Sequence, residues 1–338
     1  MQLVVGDKAP AFVGATASGR FFSLDAQAGR PALIVSLGAL DGCAAQAAFQ
    51  TLLLAMPKLA TAGIDVIPIT SMAAGLAFAS APEAADTMVY VTGAGGLETL
   101  SADGKPAVLA IDGAGRSVGL FVLDSAEQLL QRAAALAPCF ARDAGRVCRA
   151  AAPVLFIPNV ASPELCEALI AHFEASPHEA GRMAAVVGAS GDKNKLDEQI
   201  KHRRDMELTP DSPLHGEVLN ILSARVVPEI KKAFQKDVGY ADRILIARYD
   251  DTGGYFKRHR DNALPHTAFR EFAVSLNLNT HAYEGGELRF PEYDDNAYSP
   301  PAGAAGVFSA SVLHEAAAVT KGSRYVALTF LSSTPGQA

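Results

Sequence analysis

The chain has 338 residues, 49% of them hydrophobic and 19% charged, so it has enough apolar material for folded cores and a length that favours two domains. A formal net charge of -7 argues against nucleic acid as an obligate partner, because a phosphate-binding face needs concentrated Lys and Arg. No apolar run reaches membrane-spanning length and the first residues lack a signal-peptide pattern, so we expect a cytoplasmic protein with no membrane partner.

The first third of the chain alternates strand-like and helix-like segments. The apolar run at residues 32–37 predicts a strand, residues 44–62 predict a helix, and residues 64–69 predict a second strand. Because strands that alternate with helices usually lie side by side in parallel, we expect an α/β domain with a largely parallel sheet.

Two segments of this third, VGDKAPAF at residues 5–12 and GKPAVLAIDGAGRSVGLF at residues 104–121, flank a strand that ends near Cys43. This arrangement resembles a peroxiredoxin over about residues 3–137 and implies a thioredoxin-like fold. A peroxiredoxin has a Pro and a Thr or Ser seven and three residues before its reactive Cys, whereas Ser36 and Leu40 occupy those positions here. We therefore assign residues 1–137 to a degenerate peroxiredoxin-like domain that serves packing or partner binding.

The four cysteines form neither a disulfide framework nor a zinc-binding pattern in a chain of this length. Cys43 is predicted at the start of a helix, but Asp41 lies two residues before it and no flanking residue is basic, which disfavours a reactive thiolate. Cys139 and Cys148 are interpreted as ordinary thiols, and Cys166 as a small core residue.

Residues 138–150 are predicted to be a linker, because three arginines interrupt the apolar pattern there. A strand followed by a helix is predicted within residues 152–176, and Ser162 can cap that helix with Pro163 at its first position. We place the second domain at residues 151–338. Residues 213–234 predict helical packing, interrupted at Pro228.

The segment from residue 244 to residue 330 contains the most specific chemical pattern. His259 and Asp261 are two residues apart, so on an extended strand their side chains would point to the same face. His314 follows a strand-like stretch and can supply a third donor. Two His and one carboxylate, with other coordination positions open, are the donor set of non-haem Fe(II) oxygenases.

Three motifs surround these donors: YDDTGGYFKRHRDN at residues 249–262, GGELRFP at 285–291, and HEAAAVTKGSRYVALTF at 314–330. In order and spacing they resemble the iron- and 2-oxoglutarate-dependent dioxygenases, specifically the prolyl-hydroxylase-like branch. The resemblance implies a mainly-β double-stranded β-helix, or jelly roll, with supporting helices. It also implies that His259, Asp261 and His314 bind Fe(II).

The same resemblance assigns the 2-oxoglutarate site. It implies that Arg324, ten residues after the distal His, holds the far carboxylate, and a planar guanidinium fits this role because it meets a carboxylate with two parallel hydrogen bonds. Tyr249 matches a tyrosine that lines the cosubstrate pocket. Ser275 stands where the family has a second tyrosine, so this carboxylate contact differs from the family pattern.

The implied reaction hydroxylates an unactivated C–H bond with dioxygen and 2-oxoglutarate, and it releases succinate and CO2. Ascorbate remains open as an auxiliary reductant, and a homodimer remains open as the assembly. Prolyl hydroxylation of a peptide or protein is the nearest analogy, with a free amino acid or small metabolite as the other substrate class. A thiol-dependent peroxidase, or a redox- or iron-sensing protein that uses the N-terminal domain, is the alternative function.

Residues 188–204 are polar and are interpreted either as a solvated loop or as a lid. In the resembling family the equivalent segment often closes over the substrate. Here its basic residues Lys201, Arg203 and Arg204 could meet an anionic group.

Overall fold

A computed structural model describes residues 3–37, 42–71, 86–91, 96–97, 101–102, 105–140, 150–184 and 194–335. The chain divides into two compact units, Met1–Gly145 and Arg146–Ala338, called the N-terminal and C-terminal units below. The division falls inside the range 138–150 that the sequence analysis assigns to a linker. Within the described ranges, no helix is both long and apolar enough to cross a membrane.

The N-terminal unit is built around one β-sheet, which has eight strands among the described residues. The strand order is β2-β1-β5-β4-β3-β7-β6, and β8 pairs with β7. The strands are β1 (Val13–Ala15), β2 (Phe21–Ser23), β3 (Ala32–Ser36), β4 (Asp65–Ser71), β5 (Val89–Val91), β6 (Ser101–Ala102), β7 (Lys105–Ile111) and β8 (Ser117–Val122).

The sheet is mixed, so the prediction of a largely parallel sheet is wrong. Only β4 makes parallel pairings in the described part of the sheet, with β3 and with β5. The cause lies in the connections. A helix links β3 to β4 and returns the chain in the same direction, whereas a short turn joins β7 to β8 and makes them antiparallel. In that turn the Asp112 carboxylate accepts hydrogen bonds of 2.9 Å from the backbone N–H groups of Ala114 and Arg116.

Among the described residues of this unit there are three α-helices: α1 (Gly42–Thr61), α2 (Ala126–Ala135) and α3 (Ala137–Phe140). The helix predicted at residues 44–62 is confirmed by α1. Phe49 and Leu52 of α1 are buried against the sheet, and Phe140 is buried in the same core. The described core of the N-terminal unit therefore reaches Phe140, three residues into the range assigned to the linker.

The C-terminal unit is mainly β. Its strands are β9 (Val154–Ile157), β10 (Glu179–Ala180), β11 (Met183–Ala184), β12 (Asn194–Lys195), β13 (Lys201–His202), β14 (Arg204–Leu208), β15 (Tyr240–Ala241), β16 (Ile244–Asp250), β17 (Tyr255–His259), β18 (Phe272–Asn277), β19 (Tyr283–Gly285), β20 (Leu288–Arg289), β21 (Ala305–Ser309), β22 (His314–Ala316) and β23 (Val319–Ser332).

Two antiparallel sheets organise this unit. The major sheet has the order β10-β14-β16-β23-β18-β21-β9, with β15 and β19 also paired to β23, and the minor sheet has the order β13-β17-β22-β20. Side chains from both sheets meet in one buried cluster, in which Tyr249, Ala273 and Phe308 of the major sheet pack with Leu288 and Ala316 of the minor sheet. This is the double-stranded β-helix arrangement that the sequence predicts.

The opposite face of the major sheet is covered by helices α4 (Pro163–Ala175), α5 (Pro213–Ile221) and α6 (Val227–Phe234). Because β16 is covered on both faces, it is an almost continuous apolar run, with Ile244 and Ile246 against the helices and Tyr249 toward the other sheet. The predicted cap of α4 is confirmed, since the Ser162 hydroxyl accepts a 3.2 Å hydrogen bond from the Leu165 N–H.

A π-helical turn, Leu222–Val226, joins α5 to α6. Pro228 lies in the first turn of α6. Proline has no N–H and its ring crowds the carbonyl four residues earlier, so the helix widens at the place where the sequence predicts an interruption.

Candidate metal centre

The structure brings His259, Asp261 and His314 together at one end of the minor sheet. His259 ends β17, His314 begins β22, and the two residues are paired across these antiparallel strands. The prediction that His259 and Asp261 share one extended strand is wrong, because β17 ends at His259 and Asp261 lies in the following turn. The backbone N–H of Asp261 donates a 2.9 Å hydrogen bond to the Ala310 carbonyl, which anchors this turn.

The ligand atoms of the three side chains converge. The Nε2 atom of His259 lies 3.5 Å from Oδ1 of Asp261, and the Nε2 atom of His314 lies 3.4 Å from Oδ2. All three donors lie within 4.8 Å of one another, and no other His, Cys, Asp or Glu cluster of this kind occurs among the described residues. Donors that share a first-row metal at about 2.0–2.2 Å lie about 3 Å apart in adjacent positions, so this spacing fits one ion.

Hydrogen bonds set the tautomer of both imidazoles. Nδ1 of His259 lies 2.7 Å from the Lys257 carbonyl oxygen, and Nδ1 of His314 lies 3.0 Å from that of Val312. A carbonyl oxygen only accepts, so each Nδ1 carries the proton and donates it. Each Nε2 therefore presents its lone pair toward Asp261, which is the state that a metal ligand needs.

Burial sets the charge state of this cluster. It lowers the pKa of His314 to about 4, outweighing the nearby Asp261 carboxylate, so the imidazole is neutral at physiological pH. Burial by itself would raise the pKa of Asp261, because it disfavours the charged carboxylate. The interactions with His314, His259 and Arg270 outweigh burial, so the pKa of Asp261 is lowered. The cluster thus presents the neutral imidazole of His314 beside the Asp261 carboxylate.

Aromatic rings hold the histidines in place. The Phe256 ring stacks on the His259 imidazole at 3.4 Å between centroids, and the Phe308 ring meets the His314 imidazole edge-on at 4.7 Å. These apolar walls fix the imidazole planes and limit the access of water to the metal position.

A cavity of about 340 Å³ opens onto the three donors, at the lower end of the size range of small-molecule sites. Apart from Asp261, the charged residues that line it in the described part of the chain are all basic, which is unexpected in an acidic protein. The basic residues are Arg182, Lys201, Arg203, Arg243, Arg260, Arg270 and Arg324.

Arg324 is the most enclosed of these basic groups, with 2% of its surface exposed. It lies opposite Tyr249 in the pairing of β16 and β23, and its guanidinium carbon is 5.1 Å from the tyrosine ring centroid. Its Nη2 atom donates a 3.4 Å hydrogen bond to Asn277, while its Nε atom has no hydrogen-bond partner in the described part of the chain. A buried guanidinium with an N–H group that lacks a partner can bind a carboxylate.

Gly286 explains part of the GGELRFP motif. Its φ is +70°, and a Cβ atom at this position would lie 2.9 Å from the Arg324 side chain. A glycine is therefore required both for the backbone conformation and for the close approach to Arg324.

Ser275 lines the same cavity, buried in β18. Its hydroxyl has no hydrogen-bond partner among the described residues. The serine thus reaches the site at which the family resemblance implies a tyrosine, and the shorter side chain leaves space in the cavity.

The three basic residues of the 188–204 segment that were predicted to meet an anionic group lie in two different places in the structure. Lys201 and Arg203 line the cavity, whereas the guanidinium of Arg204 lies at the surface and donates a 2.6 Å hydrogen bond to His178. The cause is that Arg204 begins β14 of the major sheet, after the chain leaves the minor sheet. Residues 188–193, the first six of the predicted lid, lie outside the described residues, so the lid stays a prediction.

Sequence reasoning did not identify Asp205, Arg243 or Phe256 as parts of this site. Asp205 binds both Lys201 and Arg203, at 2.7 Å and 2.6 Å. The spacing of Arg203 and Asp205, two residues apart in a strand-like segment, was a usable signal for a same-face ion pair. Arg243 and Phe256 carried no comparable signal, because only the folding of the sheets brings them to the cavity.

Two histidines and one carboxylate with open coordination positions are the donor set typical of non-haem Fe(II) oxygenases. Consistent with this, residues 244–332 match the family model described as the 2OG-Fe(II) oxygenase superfamily. The matched range includes the three candidate metal donors and Arg324. The C-terminal unit therefore carries a 2OG-Fe(II) oxygenase domain.

Among curated proteins, a PKHD-type hydroxylase of Picosynechococcus is 38% identical over 92 residues, which cover 27% of this chain and 42% of that protein. A PKHD-type hydroxylase of a Synechococcus strain is 36% identical over 96 residues, with the same coverage of 27% and 42%. The chain thus spans about two fifths of the length of the curated relatives it matches.

Solved structures with a similar fold include two prolyl hydroxylases. One, from Trichoplax adhaerens in complex with a hypoxia inducible factor peptide fragment, has a TM-score of 0.44 and 16% identity, covering 53% of this chain and 83% of that chain. The other, a Pseudomonas putida prolyl-4-hydroxylase, has a TM-score of 0.42 and 19% identity, covering 54% of this chain and 93% of that chain.

Proposed function

We propose that the C-terminal unit is an Fe(II)- and 2-oxoglutarate-dependent hydroxylase. A substrate C–H bond, dioxygen and 2-oxoglutarate would be converted to an alcohol, succinate and CO2, with one oxygen atom going to each of the alcohol and the succinate. The observation that carries the proposal is the convergence of the His259 and His314 Nε2 atoms on Asp261 at the base of a cavity that also contains Arg324.

The roles of the residues follow from their positions. His259, Asp261 and His314 would hold Fe(II), which together with 2-oxoglutarate and dioxygen supplies the oxidant for an unactivated C–H bond. Arg324 would bind the far carboxylate of 2-oxoglutarate, and Tyr249 and Ser275 would line its binding site. The apolar side chains around the histidines would limit water access and orient the substrate carbon.

A prolyl residue of a peptide or protein is the substrate we favour, with a free amino acid or small metabolite as the second possibility. The hydroxylase names of the curated relatives support this class of reaction. The acidic composition supports a substrate other than nucleic acid. We also propose a cytoplasmic location. A homodimer and ascorbate as an auxiliary reductant are further possibilities for the assembly and the reaction.

For the N-terminal unit we propose a thioredoxin-like domain derived from a peroxiredoxin and lacking peroxidase activity. Cys43 is exposed near the start of α1, and Ser36 ends β3 with its hydroxyl buried. Leu40 and Cys148 lie outside the described residues. The proposed domains remain residues 1–137 and 151–338.

Two measurements test the proposed oxygenase. Anaerobic addition of Fe(II) and then 2-oxoglutarate should produce a weak visible charge-transfer band, and aerobic incubation should release succinate even without added substrate. Peroxide reduction that depends on Cys43 and ignores 2-oxoglutarate would instead support the thiol peroxidase. A chain with neither the band nor succinate release would contradict the proposal.

A further inference from the structure

One wall of the cavity carries buried positive charge that the proposed metal and cosubstrate do not use. This basic wall consists of Lys201, Arg203 and Arg243. The side chains of Lys201 and Arg203 are only 3% and 6% exposed. A buried cation is costly unless it is paired, so the partners of these groups indicate whether the wall is complete without a ligand.

The wall lies one aromatic ring away from the candidate metal centre. The Lys201 ammonium is 5.4 Å, and the Arg203 guanidinium carbon 5.6 Å, from the centroid of the Phe256 ring. The Phe256 ring in turn stacks on the His259 imidazole. A ligand that touches the wall can therefore extend to the metal position within this small cavity.

The internal partners leave the wall positively charged. Lys201 and Arg203 share a single carboxylate, that of Asp205, at 2.7 Å and 2.6 Å. Arg243 has no carboxylate partner among the described residues, and its buried Nε atom makes no hydrogen bond there. Burial lowers the pKa of Lys201 to about 7, and the charges of Arg203 and Arg243 add to this effect. Three basic groups, two of them arginines, thus face one carboxylate.

Two of the other basic lining groups are already matched. Arg270 pairs with Asp242 at 2.7 Å, and Arg260 pairs with Glu292 at 2.5 Å. Fe(II) and Arg324 together carry three positive charges, and Asp261 and 2-oxoglutarate together carry three negative charges. The charges of the proposed metal, the cosubstrate, Asp261 and Arg324 therefore cancel. The excess positive charge of the basic wall is left for a second ligand.

We propose that the molecule hydroxylated in this cavity carries a carboxylate that binds Lys201 and Arg203. This inference rests on the proposed function and narrows its substrate class to acidic groups. The carboxylate can come from a free amino acid or from an acidic side chain of a peptide. The modest volume of the cavity, part of which 2-oxoglutarate fills, favours a group of amino-acid size.

The test compares carboxylates with their amides. The full-length chain is loaded with Mn(II) and 2-oxoglutarate, and binding is measured by calorimetry for two sets of probes. The first set contains the standard free L-amino acids and their carboxamides, and the second contains capped Gly-Pro-Glu and Gly-Pro-Gln tripeptides. At least one carboxylate should bind about tenfold or more tightly than its amide. The set in which the preference appears identifies the source of the carboxylate.

The variant Lys201→Met removes one basic group and leaves Arg203 and Asp205 as a matched pair. It should lose the carboxylate preference while its affinity for 2-oxoglutarate stays unchanged. Lys232→Met, at an exposed position of α6, is the control and should keep the preference. If Lys201→Met does not fold, Lys201→Gln removes the charge and keeps a hydrogen-bonding group for Asp205.

Three results would overturn the inference. The first is that the wild-type chain binds carboxylates and amides equally, or binds no probe of either set. The second is that Lys201→Met keeps the preference for the carboxylate. The third is that Lys201→Met binds 2-oxoglutarate more weakly, which would place the wall in the cosubstrate site. Succinate release by the wild-type chain without any probe would still support the proposed function in each case, so the two failures are distinguishable.

Discussion

Tyr249 and Arg324 are directly opposed partners on the antiparallel strands β16 and β23, and the arginine lies against the face of the tyrosine ring. The ring attracts the guanidinium and restricts its position, while a hydrogen bond to Asn277 holds its other end. The side chain is therefore oriented before any ligand binds. Preorganisation of this kind lowers the entropic cost of binding a carboxylate.

The first prediction concerns Arg324. Arg324→Met should keep Fe(II) binding but raise the half-saturating concentration of 2-oxoglutarate about ten- to a hundred-fold, because a charge-assisted hydrogen bond contributes about 1.5–3 kcal/mol. Succinate release against 2-oxoglutarate concentration measures this, with the exposed Arg289→Met as control. An unchanged half-saturating concentration would remove Arg324 from the cosubstrate site. Lys321 could not easily replace it, since it pairs with Glu284 at the surface.

The second prediction concerns the unpartnered hydroxyl of Ser275. If this hydroxyl binds the cosubstrate, Ser275→Ala should raise the half-saturating 2-oxoglutarate concentration about two- to tenfold, since a typical hydrogen bond contributes about 0.5–1.5 kcal/mol. The stability of the variant should not fall, because no protein hydrogen bond is lost. An unchanged concentration in the same assay would show that the serine provides space in the cavity and no contact.

The third prediction tests the metal centre. His259→Ala, Asp261→Ala and His314→Ala should each abolish Fe(II) binding and succinate release, an effect larger than the about 10- to 100-fold loss that follows removal of an outer-shell partner. Equilibrium dialysis of the metal measures binding directly, and His281→Ala at an exposed position of a short 3-10 helix is the control. A variant that retains wild-type affinity for Fe(II) would show that the substituted residue is not a ligand.

The sequence predicts the donor set and the supporting helices because their signals are local. The spacing of His259 and Asp261, the position of Arg324 after His314, and the cap at Ser162 all depend on residues close together in the chain. The convergence of His314 on the other two donors depends on the pairing of β17 with β22. That pairing is long-range, and the resemblance of the motifs, rather than the pattern of apolar residues, predicts it.

The predictions that the structure contradicts depend on turns and long-range contacts, which a local sequence pattern does not show. The parallel sheet was predicted from the alternation of strands and helices, but the turn at Asp112 forms a hairpin that this pattern does not show. The position of Asp261 outside the strand depends on a hydrogen bond to Ala310, fifty residues away in the sequence. Of the basic wall, the sequence indicates only Lys201 and Arg203, because Arg243 reaches the cavity from the short connection between β15 and β16.

The fourth prediction concerns Cys43, which is exposed near the start of α1. Cys43→Ser should leave succinate release unchanged and should remove little peroxide reduction, because the positions that would complete a peroxide site are Ser36 and Leu40. Peroxide consumption with a dithiol reductant measures this, with Cys139→Ser, another exposed thiol, as control. Rapid consumption by the wild-type chain that is lost only in Cys43→Ser would show that the chain is bifunctional.

The last prediction follows from the charge state of Lys201, which faces Asp205, Arg203 and Arg243. Burial lowers its pKa from 10.5 to about 7, so between these values the unfolded chain binds a proton that the folded chain has released. The free energy of unfolding should therefore rise with pH in this window, by at most about 1.4 kcal/mol per pH unit for one proton. The arginines stay charged and the lowered pKa of Asp205 lies below the window, so Lys201 is the group in this cluster that titrates.

Chemical denaturation of the metal-free chain between about pH 7 and about pH 9 measures this effect. The free energy of unfolding should rise more for the wild type than for Lys201→Met, by ~2 kcal/mol in total. The exposed Lys232→Met should match the wild type, and equal slopes in all three proteins would show that Asp205 keeps Lys201 charged throughout.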